Sequence, residues 1–108
     1  MIRLLACLSA ALAIGAGAFG AHGVADPKAV DWLRTGGLYQ MVHAVAALTL
    51  AGVARGAATT MLAGAAIFAF TLYAMALGGP RWLGAVTPAG GVLMIAGWLW
   101  AGWRLRGA

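Results

Sequence analysis

Tyr39, Gln40 and His43 have the side chains in this sequence best suited to chemistry at one place. On a helix they fall, with Trp32 and Gly36, within one arc of about 100°. They therefore form a polar stripe on an apolar element. His22 stands near the end of an earlier apolar stretch, and Tyr73 and Thr87 follow in later ones, with Thr71 nearby. If the first two apolar stretches are consecutive membrane spans, His22 and His43 differ in height by a few residues of about 1.5 Å rise. His22, Tyr39, Gln40, His43, Tyr73 and Thr87 then make one candidate polar site inside a membrane. Polar groups at that depth are costly and often functional. The plainer reading is interhelical hydrogen bonding, at roughly 0.6 kcal/mol per bond on average.

Other chemistries find less support. Ser9 is the only serine and has no base beside it in the sequence, which speaks against nucleophilic catalysis. Asp26 and Asp31 are the only acids, and both lie in one connection. The carboxylate relay of many pumps is therefore missing, although a histidine relay through His43 stays open. Cys7 stands alone, which rules out an intrachain disulfide and a cysteine metal cluster. It follows the start too closely for a lipoprotein signal and reads as a small packing residue. Two histidines raise haem ligation, without a second motif to support it. Zinc would need about four ligands. The sequence points to no enzyme, no cofactor and no metal.

A chain that keeps its charges apart must position these residues. Seven basic and two acidic residues leave four uncharged stretches: Leu4 to Ala25, Thr35 to Ala54, Gly56 to Pro80 and Trp82 to Trp103. Each reaches the roughly 20 residues a helix needs to cross a bilayer. With 64% hydrophobic and 8% charged residues, a soluble surface is out of reach. The net charge of +5 does not signal nucleic acid, because Arg3, Lys28, Arg34, Arg55, Arg81, Arg104 and Arg106 punctuate the chain instead of clustering. The fold class is all-α, a single membrane domain with spans at about 4–24, 37–54, 57–77 and 88–103. The first span is read as retained, not cleaved. Asp26 as cap and Pro27 predict a short interfacial helix at about 27–34, either continuous with the second span or parted from it by a kink or break at Gly36-Gly37. Gly78-Gly79-Pro80 breaks the chain again, and Thr87 as cap with Pro88 restarts it.

Small residues recur at helical spacing. Ala13, Gly17 and Ala21 do so on the first span, and Gly90, Gly97 and Ala101 with Met94 on the fourth. Such seams bring helix backbones close when lipid removes the hydrophobic drive. The glycine-rich run Gly15–Gly23 ends an apolar span, so it reads as packing and not as a phosphate loop. Four spans put both termini on the side of Arg55. Arg3, Arg55, Arg104 and Arg106 there outnumber Lys28, Arg34 and Arg81 opposite, which predicts cytoplasmic termini.

Gly17-Ala18-Phe19-Gly20-Ala21-His22-Gly23, Tyr39-Gln40-Met41-Val42-His43-Ala44, Leu72-Tyr73, Thr87-Pro88-Ala89-Gly90-Gly91 and Gly97-Trp98 occur in that order. This ordered set resembles the family of small inner-membrane proteins typified by YgdD, a domain of unknown function (number 423) related to transmembrane protein 256. The resemblance covers about residues 3–104. It implies a multi-pass helical protein of the bacterial inner membrane, without an assigned activity or ligand residues. Three readings remain. The favoured one is a structural or accessory protein, in the bilayer with a second copy or another membrane protein, associating through its small-residue seams. The second is a small channel or transporter component using the polar site. The third is a haem-binding redox protein.

Overall fold

The computed structural model describes residues 1–107. Four helices, α1 (Ile2–His22), α2 (Pro27–Leu50), α3 (Arg55–Ala76) and α4 (Thr87–Leu105), follow one another, with a short 3-10 helix at Arg81–Ala85 before α4. The molecule measures 48 × 25 × 19 Å. Close packing runs from α1 to α2, α2 to α3 and α3 to α4, while α1 meets α3 only along a thin edge. α1 and α4 are thus the edges of an antiparallel array. Only Ala6, Ala13 and Gly20 are buried on α1, against nine residues on α2.

The helix boundaries have local causes. Asp26 Oδ1 accepts the Lys28 N–H at 3.3 Å and Pro27 opens α2, as the sequence predicts. A separate interfacial helix at 27–34 does not form. Those residues are the first turns of a continuous 24-residue α2, which passes unbroken through Gly36 and Gly37. Packing overrides the weak helix propensity of glycine here. A Cβ on Gly36 would stand 2.7 Å from the Tyr73 ring, and one on Gly37 would stand 3.2 Å from the Ala13 carbonyl. Their missing side chains admit neighbours.

The turn from α2 to α3 closes through the Ala54 N–H on the Leu50 carbonyl at 2.7 Å. α3 ends in a Schellman motif. Gly78 takes φ +96°, the Gly79 N–H bonds the Ala74 carbonyl at 2.8 Å, and the Gly78 N–H bonds Met75 at 3.1 Å. Thr87 does not cap α4 as expected. It is the first residue of the helix, and its hydroxyl reaches back to the Leu83 carbonyl at 3.1 Å.

Gly90, Met94, Gly97 and Ala101 are buried, and α3 covers this seam within the chain itself. A Cβ on Gly90 would come within 2.5 Å of the Phe68 backbone nitrogen, and one on Gly64 within 2.8 Å of the Gly90 carbonyl. On α1 the seam divides: Ala13 and Gly20 are buried, whereas Gly17 and Ala21 are exposed. Cys7 is also exposed, so it is not the packing residue expected.

α1, α3 and the segment Arg81–Leu105 are long and apolar enough to cross a membrane. α2 has the length but carries the polar stripe. At one end of the array, Trp32 lies under Lys28 and Arg81, at 5.8 and 5.9 Å from the ring centre. At the other end, Arg106 covers Trp103 at 3.7 Å. Aromatic rings and cations therefore pair at both ends of the array, as they do at membrane boundaries.

Candidate functional site

α2 directs its polar stripe at three different neighbours. Gln40 is 1% exposed and sits between α1 and α3. Its Oε1 accepts the Tyr73 hydroxyl at 2.6 Å, and its Nε2 donates to Ser9 Oγ at 3.2 Å. One amide thus ties α2 to both flanking helices.

His43, 4% exposed, makes the third tie. The Trp98 indole N–H on α4 donates to His43 Nε2 at 2.9 Å, and His43 Nδ1 lies 2.7 Å from the Tyr39 carbonyl. An indole N–H only donates and a carbonyl only accepts. These two partners assign the neutral Nδ1–H tautomer, and neither ring nitrogen is left over for a metal or a substrate. The Trp98 ring meets His43 edge-on with centroids 5.9 Å apart.

The other candidates lie apart from this pair of ties. Tyr39 is 43% exposed and packs its ring on Phe68, centroid to centroid 4.9 Å. Thr87 bonds Thr71 through their hydroxyls at 2.6 Å, joining α4 to α3. His22 is exposed at the end of α1 and does not approach His43. Ser9 marks the level of Gln40 on α1, and His22 lies thirteen residues further on, about 20 Å along the helix. A site joining both histidines, including a haem held by the two rings, does not fit this geometry.

Ser9 and Trp98 were missed as partners in the sequence. Ser9 lacks a base beside it in the sequence, and Trp98 stands there only within the ordered family pattern. The signal for Ser9 was present. Antiparallel helices joined at Gly23–Asp26 bring residues early in α1 level with residues late in α2.

Among the described residues, no buried side-chain nitrogen or oxygen lacks a partner. Helical threonines contribute by bonding their own preceding turn: Thr49 to Val45, Thr59 to Arg55 and Thr60 to Gly56. Such closure is what hydrocarbon demands of a polar group. Chemically, the stripe works as three fasteners between helices.

Residues 16–91 match the family described as "Protein of unknown function (DUF423)". The chain is 36% identical to a UPF0382 membrane protein of Staphylococcus saprophyticus, over 89% of this chain and 88% of the relative. It is 37% identical to the UPF0382 membrane protein YwdK of Bacillus subtilis, over 89% and 88%. A UPF0382 membrane protein of Schizosaccharomyces pombe shares 32% identity, over 87% and 92%. No solved structure matches.

Proposed function

The chain belongs to the DUF423 family of membrane proteins of unknown function, and from that premise we propose a four-span accessory protein of the inner membrane that works by contact with another membrane protein. One observation carries the proposal. The polar groups are engaged inside the bundle, whereas the outer face of α1 is apolar and uncovered, with a line of small residues between the exposed Leu4, Leu8 and Ile14. Ala11, Gly15 and Ala18 lie on that face, and a Cβ on Gly15 would meet nothing within 4 Å. This is the surface a second helix packs on closely in lipid. The Gly90–Ala101 seam of α4 is already covered by α3, whereas Ala11, Gly15 and Ala18 of α1 are open.

In this reading α2 crosses the membrane with the others. At 24 residues it is about 36 Å long, more than the roughly 30 Å hydrocarbon core. Its first turns, with Lys28, Asp31 and Arg34, therefore sit among headgroups, on the side away from the termini. The bonds of Gln40 and His43 favour this reading over a conduit, which would need those groups turned toward water.

The test is in-membrane disulfide trapping with a single cysteine at Gly15, in a chain carrying Cys7→Ala. A crosslinked species that Ala11→Leu weakens supports the proposal. A chain that stays monomeric in native membranes, with no partner captured, overturns it.

A further inference from the structure

Two adjoining hollows near the α1 N-terminus have complementary chemistries. The larger, about 460 Å³, runs between α1 and α3 from Ile2 to Leu12 and Phe70, walled by Leu5, Leu62 and Ala66. The smaller, about 160 Å³, is lined by Arg3, Arg55, Ala51 and again Ile2. Ile2 lines both, at the end where α1 begins.

Their order along the membrane matters. Arg3 and Arg55 belong to the end where α1 and α3 both begin, at the membrane boundary. From there the groove follows α1 for ten residues, about 15 Å, or half of a hydrocarbon core of about 30 Å. That is the depth of one leaflet. The polar groups in its wall are engaged within the protein: Thr59 donates to the Arg55 carbonyl at 3.0 Å and Gln40 to Ser9. The groove therefore presents an apolar wall below a mouth with two guanidinium groups. The α1 and α3 N-termini at this mouth carry no acidic residue in their first turns, which keeps its potential positive.

The geometry points to a binding site for one anionic phospholipid of the termini-side leaflet, its phosphate held by Arg3 and Arg55 and one acyl chain lying in the groove between α1 and α3. Charge complementarity chooses an anionic over a zwitterionic headgroup, and the groove's depth selects a membrane lipid over a free phosphate.

Native mass spectrometry of the purified, delipidated chain tests this. The probes are phosphatidylglycerol and phosphatidylcholine with identical acyl chains. Phosphatidylglycerol should be retained on the order of tenfold better, as expected of two arginines near an anionic headgroup. Arg3→Gln with Arg55→Gln should abolish that preference. Arg104→Gln with Arg106→Gln, which removes the same charge at the same side, should keep it. Ala63→Phe, which fills the groove, should lower retention of phosphatidylglycerol severalfold while circular dichroism stays helical. Equal retention of the two lipids, equal effects of the two arginine pairs, phosphate ion competing as well as the lipid, or a dimer that displaces lipid from the groove would overturn the site.

Discussion

Trp98 on α4 donates its indole N–H to the Nε2 of His43 on α2, across 2.9 Å. The bond spans two helices that are not neighbours in sequence and leaves the imidazole one tautomer. Nitrogen chemical shifts of labelled protein in lipid should report His43 protonated at Nδ1 and accepting at Nε2. A spectrum with Nε2 protonated would contradict the assignment.

Trp98→Phe keeps the ring but removes the donor. It should destabilise the fold by roughly 1 kcal/mol, within the range measured for interhelical bonds. The measurement is unfolding in mixed micelles. His43→Ala in the Trp98→Phe background should cost less than His43→Ala alone, because the two changes break one bond. Strict additivity would mean that the bond contributes nothing.

Gln40 and Tyr73 should couple in the same way. Tyr73→Phe leaves the buried Gln40 Oε1 without its partner, and Gln40→Leu leaves the Tyr73 hydroxyl without an acceptor. A double-mutant cycle should return a coupling of roughly 0.6–1.7 kcal/mol.

Gly90 and Gly91 are adjacent and predict opposite outcomes. Gly90→Ala places a methyl 2.5 Å from the Phe68 nitrogen and 2.6 Å from the Gly64 carbonyl, both backbone atoms that yield little. It should cost about 1–3 kcal/mol, the usual price of overpacking. Gly91→Ala meets nothing within 4 Å. It should be neutral or stabilising by up to about 1 kcal/mol, through helix propensity alone. Equal melting temperatures for the two variants would refute the α3–α4 contact.

The proposed four-span topology has a signature of its own. In a Cys7→Ala background, cysteines at Ala25 and Gly84 should react with an impermeant reagent from outside the cell. A cysteine at Val53 should react only after the membrane is opened. Labelling of positions 25 and 53 from the same side would mean that α2 lies on the membrane instead of crossing it.

Charge placement marked four helices, although α2 also takes in the charged Lys28, Asp31 and Arg34. Asp26-Pro27 and Gly78-Gly79-Pro80 also gave their stops and starts correctly. The missed features depend on rotation and height between helices. Gly36-Gly37 looked like a breaker because propensity describes an isolated helix, whereas here Tyr73 and Ala13 fill the space the glycines leave. Gln40 and His43 face inward, but Tyr39, on the border of the same arc, turns outward against Phe68. His22 was placed beside His43 by assuming that two residues on the same half of adjacent spans meet. Counting from the connection puts His22 four residues before Asp26 and His43 seventeen after it.

The most polar helix being the best enclosed has a bearing on biogenesis. α1, α3 and the α4 segment can each partition into lipid on their own composition. Ser9 precedes α2, but the Gln40 carbonyl oxygen and the His43 imidazole stay without partners until Tyr73 and Trp98 arrive, and Trp98 emerges from the ribosome 55 residues after His43. If α2 crosses as proposed, its stable insertion waits for later segments of the nascent chain, and a truncation before α4 should leave α2 poorly anchored and open to membrane quality control.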